Sequence, residues 1–199
     1  MAMTATTVTT GEVRFTYPHL FAPDEHDKYS VTVLLPKGDT QTKALIDKAV
    51  EEAKRIGTST KWGGVCPPVV PTPIHDGDGT RQDGTPFPPE CKGHWVMSAR
   101  SNNKPEVVDG AGQPIMLASD VYSGCYGRVN FNAYAYMFQG KKGIAFGLGP
   151  VQKLRDGESL AGGAVSAAQA FGFTTDSQGF VNGVQGAQGA VDPITGLPM

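Results

Sequence analysis

Hydrophobic and polar positions alternate over residues 11–17, with Val13, Phe15 and Tyr17 on one side and Glu12, Arg14 and Thr16 on the other. A period of two predicts a half-buried strand. Residues 29–35 repeat the pattern with Tyr29, Val31, Val33 and Leu35 on one face, and Pro36 stops it because proline cannot donate to a ladder. Residues 18–28 read as the connecting loop. The period then lengthens: Leu45, Ile46, Ala49, Ala53 and Ile56 form an apolar stripe at helical spacing, opened by a cap at Asp39 or Thr40 and closed by Gly57. The other side of that helix carries Lys43, Asp47, Glu51, Lys54 and Arg55, whose mixed signs predict a solvated face.

Residues 58–93 hold seven prolines and read as one long loop, of the length that usually carries function or moves. Alternation resumes at 94–100, with Trp95, Met97 and Ala99 opposite His94, Val96, Ser98 and Arg100. Residues 124–138 and 142–151 are the strongest strand signals, and Gln139, Gly140 and Lys141 between them predict a long hairpin. Beyond Gly157 the chain turns Gly/Ala/Gln/Ser-rich, too poor in apolar residues to offset ordering entropy. The expected organisation is a flexible arm over 1–10, one domain over 11–158, and a largely disordered tail over 159–199 with a short helical turn near 164–171.

Composition supports a mainly β domain. The 199 residues include 26 Gly and 15 Pro, about a fifth of the chain, which excludes a helical bundle or coiled coil because both residues penalise helix interiors. No apolar run approaches the roughly 18 to 20 residues of a membrane span, and the Thr-rich start lacks the form of a secretory signal, so the expected location is the cytoplasm. Three cysteines, Cys66, Cys91 and Cys125, predict reduced thiols rather than a disulfide framework. Net charge is −2, but eight basic residues against three acidic ones from position 91 to 155 give a local +5, while 159–199 contains neither Lys nor Arg.

Within the long hairpin, odd positions 127–137 are Gly127, Val129, Phe131, Ala133, Ala135 and Met137, a face fit for a core. The even positions are Tyr126, Arg128, Asn130, Asn132, Tyr134, Tyr136 and Phe138, which share the opposite face. Rings beside cations suit single-stranded nucleic acid, whose bases stack on aromatics while Lys and Arg follow the phosphates. Lys141 and Lys142 extend the positive path at the hairpin tip. The competing expectation is that these tyrosines pack beneath the helix or a loop.

The segments YPHLFAP (17–23), KYSVTVLLPK (28–37), KWGG (61–64), GHWVMSAR (93–100), YSGCYGRVNFNAYAY (122–136) and GIAFGLGPVQKLRDGE (143–158) resemble the single-stranded-DNA-binding proteins of tailed phages that carry an OB-fold. The resemblance covers about residues 12–160. It implies an OB-fold-like Greek-key barrel with one amphipathic helix, long loops and a flexible tail, which coats single-stranded DNA during phage replication or recombination without catalysis or cofactor, in the host cytoplasm. On that reading Tyr126, Tyr134, Tyr136, Phe138 and Trp62 contact bases, and Arg100, Lys104, Arg128, Lys141 and Lys142 neutralise phosphates. Trp62 has a second reading as an anchor for its loop, and Lys104 as a solvated turn residue. The departure is the tail: relatives usually end in an acidic segment that recruits partners, whereas this chain ends with one acid in QGAQGAVDPITGLPM. Replication or recombination proteins are the expected partners of the tail, through its apolar tip at 194–199, and the pattern permits a monomer or a dimer.

Other constellations are weaker. His75, Asp76, Asp78 and Asp83 begin like a calcium loop, but Arg81 and Phe87 occupy the positions where an EF-hand needs Gly and Glu. Cys66, His75, Cys91 and His94 lack the compact paired spacing of a zinc site, and Cys125 has no local histidine partner. The alternatives to DNA binding are a phage structural or assembly module whose aromatic face binds protein, and a metal-dependent nuclease using residues 76–83.

Overall fold

The computed structural model describes residues 5–81 and 83–160. In chain order the elements are β1 (Thr7–Thr9), β2 (Val13–His19), β3 (Tyr29–Pro36), α1 (Thr40–Thr60), β4 (Ile74–Asp76), β5 (His94–Ser101), β6 (Val107–Val108), β7 (Tyr126–Phe138) and β8 (Lys141–Arg155). Five of the strands close on themselves in the order β2-β3-β5-β8-β7, with β7 returning to β2. Every junction is antiparallel except β5–β8, a parallel contact that sets Arg100 opposite Gly147. This is the strand order of an OB-fold, a partly open five-stranded Greek-key barrel.

The alternation read from the sequence fills the barrel. Val13, Phe15, Val31, Val33, Leu35, Met97, Ala99, Val129, Phe131, Ala133 and Ala135 are all buried, and the rings of Phe131 and Phe146 stack at 4.3 Å. The β7–β8 hairpin turns at Gln139 and Gly140, both with positive φ, as a two-residue turn between twisted strands requires.

Three expectations change. Helix α1 runs past Ile56 to Thr60, and Gly57 lies inside it, because its missing side chain lets the helix approach β7: a Cβ there would sit 2.3 Å from that of Ala135. The buried stripe is Thr42, Ile46, Ala49, Val50, Ala53 and Gly57, while Leu45 and Ile56 face outward. Its start agrees with the reading, since the Asp39 carboxylate accepts the N–H of Thr42 at 2.9 Å. The Thr-rich arm is not free over its whole length: Thr7–Thr9 pair with Asn130–Asn132 of β7. Within the long loop, β4 pairs with β5.

No helix among the described residues is long and apolar enough to cross a membrane. The tail over 159–199, with its helical turn and apolar tip, lies outside the described residues beyond Leu160, whose N–H donates to Ser123 O.

Candidate nucleic-acid interface

On the outer surface of the barrel, β3 and β5 build a ladder of paired side chains. Leu34 faces Val96, then Thr32 faces Ser98, then Ser30 faces Arg100. Successive rungs are about 6.8 Å apart, two residues of strand rise. Strand β2 extends them, with Thr16 beside Thr32 and His19 beside Ser30. The Thr32 and Ser98 hydroxyls are hydrogen-bonded at 2.9 Å. The floor thus passes from apolar through hydroxyl to cationic along one line.

The apolar rung explains two residues that break the polar side of the alternation. Leu34 and Val96 are buried with Cys91 and packed against Phe87, so they seat the loop that precedes β5 on the barrel exterior. Outward-facing Leu34 and Val96 were the sequence signal that something covers this end.

Tyr17 supplies a wall. The alternation assigns it to the core beside Phe15, but the β2–β3 register shifts between Thr16 and His19, so Thr16 is buried and Tyr17 is 64 % exposed. Its φ is 47°, a left-handed conformation rare for a bulky residue, and its N–H is held by the Ser123 hydroxyl at 2.8 Å. Tyr17, His19 and His26 enclose a groove of about 450 Å³ over Ser30, Thr32, Ser98 and Arg100. Asp24 shapes its rim. Burial pushes the Asp24 carboxyl up, but hydrogen bonds from the N–H groups of His26 and Lys28 and from the Ser30 hydroxyl, with the Arg100 charge, hold it below the usual range.

The groove continues past Arg100 into a hollow of about 360 Å³ lined by His26, Lys28, Arg100, Ser101, Asn102 and Tyr134. Tyr134, 42 % exposed, comes from β7 on the far side of the seam. Its ring lies over Gly147, the residue opposite Arg100, where a Cβ would meet it at 3.5 Å. Lys28 donates to Asn102 Oδ1, which ties the β2–β3 loop to the end of β5.

Of the residues expected at the site, Arg100 and Tyr134 therefore share one hollow. Lys104 does not line that hollow; it is exposed, with its ammonium 5.7 Å from the Phe21 ring centre. Phe138 and Lys141 are exposed at the hairpin tip. Tyr136 is half-buried and packs over Gly143 of the same hairpin. Trp62 departs from the stacking role: it is 3 % exposed, and its indole N–H donates to Tyr136 O at 3.0 Å, so the ring anchors its loop beneath β7. Lys142 helps in this, donating to Trp62 O at 2.8 Å. At the other end of β7, the Tyr126 ring is already covered by the Arg155 guanidinium, 3.6 Å from its centre, and Arg128 donates to Thr10 O at 3.0 Å. Asn130 and Asn132 bond to Thr9 and Thr6 of the N-terminal segment. The groove residues Tyr17, His19, His26, Lys28, Ser30, Thr32 and Ser98 were not legible as a set, because they converge from two strands, a bulge and a loop.

The other candidate chemistry is used structurally. Asp76 and Asp78 each lie 2.6 Å from the Lys37 ammonium, whose hydrogen bonds hold both carboxyls below the usual range. Among the described residues, no group of three or more His, Cys, Asp or Glu side chains is placed to hold a metal ion. Burial pushes the thiols of Cys91 and Cys125 up, away from the reactive thiolate.

Barrel order and a groove across β3 and β5 define the chain as an OB-fold protein with a cleft over two adjacent strands of the barrel. The family model described as Enterobacter phage Enc34, ssDNA-binding protein, matches residues 6–181, and the chain belongs to that family. Among solved structures, the single-stranded DNA-binding protein from bacteriophage Enc34 superposes with a TM-score of 0.68 at 30 % identity, over 84 % of this chain and 91 % of that one. The same phage protein in complex with ssDNA gives a TM-score of 0.68 at 29 % identity, covering 79 % of this chain and 91 % of that one. A curated relative, putative protein p50 of Acyrthosiphon pisum secondary endosymbiont phage 1, is 29 % identical over 174 residues, 80 % of this chain and 89 % of its own length.

Proposed function

We propose that this protein binds single-stranded DNA along the groove over β3 and β5, and that it coats and protects the strand during phage DNA replication or recombination without catalysing a reaction. The observation that carries the reading is the alignment of Tyr17, the Thr32–Ser98 hydroxyl pair, Arg100 and Tyr134 along one continuous cleft. Rings at both ends offer faces for bases, at about 1 to 3 kcal/mol each, while Arg100 and Lys28 offer charge to the phosphates between them. Lys104, Lys141 and Phe138 extend the path beyond the cleft. Family membership and the relative solved with ssDNA support the same ligand. The engagement of Asp76 and Asp78 by Lys37 supports a binding role over a nuclease built on that loop.

The test is fluorescence anisotropy of a labelled thymidine oligonucleotide of about 20 to 30 nucleotides, titrated at several salt concentrations with duplex as competitor. Salt-sensitive binding that duplex fails to displace is expected. Absence of binding at low salt would overturn the reading and favour a protein partner for the same surface.

A further inference from the structure

Beyond the hydroxyl rung the groove ends in a separate pocket of about 200 Å³ that shares Tyr17, Thr32 and Ser98 with it. The loop before β5 roofs this pocket, bringing Phe87, Arg81 and Glu90 over the barrel. The Phe87 ring is half-buried on the Leu34–Val96 pad, and the Arg81 guanidinium stands 5.5 Å from its centre. Glu90 is half-buried and, among the described residues, has neither an ion-pair nor a hydrogen-bond partner. The pocket has room for one base, and the Glu90 carboxylate repels phosphate while accepting N–H groups.

We infer that this pocket captures a guanine base from the bound strand, packed against the Phe87 side of the pocket, with Glu90 reading the pairing edge and Arg81, which stands over the Phe87 ring, facing the acceptor edge. The inference rests on the proposed single-stranded DNA binding. A carboxylate has two acceptor oxygens side by side, and guanine alone among the four bases presents two adjacent donors on its pairing edge, N1–H and the N2 amino group. Thymine sets its single N3–H between two carbonyls that repel a carboxylate; cytosine and adenine set an amino group beside a ring acceptor. Guanine also offers O6 and N7, the acceptors that arginine pairs with in DNA recognition. Glu90 and Arg81 are thus complementary to opposite edges of one base, and the groove acquires a fixed point in an otherwise sequence-tolerant path.

The experiment uses the full chain and a labelled thymidine oligonucleotide of about 15 nucleotides, within the span of one OB-fold, compared with versions carrying one central dG, dI, dC or dA. The dG oligonucleotide is expected to bind about ten-fold more tightly than the all-thymidine one, the size of one good bidentate base contact. Inosine, which lacks the N2 amino group, recovers only part of the gain. Glu90→Gln removes the gain and leaves thymidine binding intact. Equal affinity for all five oligonucleotides, inosine equal to guanine, or a gain that survives Glu90→Gln would each overturn the guanine pocket while leaving the groove reading in place. Failure of every oligonucleotide to bind at low salt would overturn the groove reading and the pocket together.

Discussion

The hydroxyl of Ser123 accepts the backbone N–H of Tyr17 at 2.8 Å and so holds a bulky residue in a left-handed conformation, φ 47°. Left-handed backbone costs an ordinary residue about 1 to 2 kcal/mol, and what it achieves here is an outward ring at the mouth of the groove. Tyr17→Ala is expected to lower oligonucleotide affinity by about 1 to 3 kcal/mol at every salt concentration, and Tyr134→Ala likewise. Ser123→Ala should weaken binding in the same direction and cost about 1 kcal/mol of stability for the lost hydrogen bond. Anisotropy titrations check the first effect and denaturant midpoints the second; unchanged affinity in both tyrosine variants would place the stacking surface elsewhere.

Arg100 sits where the two hollows meet, and on the proposed reading its contribution is electrostatic. Arg100→Ala should reduce the slope of log affinity against log salt by about 1, as should Lys141→Ala at the hairpin tip. A phosphate contact carries no base information, so each loss should be the same for every base composition. A slope equal to that of the unaltered chain would show that neither cation meets the strand.

Trp62 and Gly57 are expected to govern stability rather than binding. Trp62→Phe removes the indole donor to Tyr136 O and should cost about 1 to 2 kcal/mol. Gly57→Ala forces the helix away from β7, because the new Cβ would lie 2.3 Å from that of Ala135, and should cost about 1 to 3 kcal/mol. Both should shift the denaturant midpoint at constant slope, with oligonucleotide affinity of the folded protein unchanged. Lost affinity at full stability in Trp62→Phe would make the ring a base platform after all.

Acid should loosen the barrel through defined carboxylates. Hydrogen bonds from Lys37 hold Asp76 and Asp78 below the usual range, and the Arg155 hydrogen bond does the same for Glu12. A folded pKa below the unfolded one means that the unfolded chain binds more protons between the two values. Their stabilisation is therefore fully present above the unfolded carboxylate range, about pH 4, and is lost as pH falls through the lowered folded values. The denaturant midpoint should be flat from about pH 5 to pH 7 and fall below about pH 4. Asp78→Asn should flatten that fall.

The parity of β7 was readable because each odd residue from Gly127 to Ala135 points into one core, so the hydrophobic pattern and the packing carry the same information. The opposite parity was less informative. Tyr126, Arg128, Asn130 and Asn132 share a face with Tyr134, yet their partners are Arg155, Thr10, Thr9 and Thr6, which lie far along the chain and leave no local trace. Tyr17 was misread because one irregularity between Thr16 and His19 breaks the alternation, and a period count has no means of detecting a bulge. Gly57 looks like a helix stop from its neighbours alone; only the approach of Ala135 makes it an interior residue.

The seam between β5 and β8 carries a final consequence. Those strands touch at Arg100 and Gly147, and the rest of the opening is occupied by β4 along β5 and β6 along β8, while β1 occupies part of the outer edge of β7. These added strands are three, two and three residues long, so among the described residues the sheet ends in stubs. Long unpaired edges are what recruit foreign strands into cross-chain sheets. On the proposed reading, copies of this chain crowded side by side on one DNA strand would stand at very high local concentration, where short sheet ends would keep neighbouring copies from joining edge to edge.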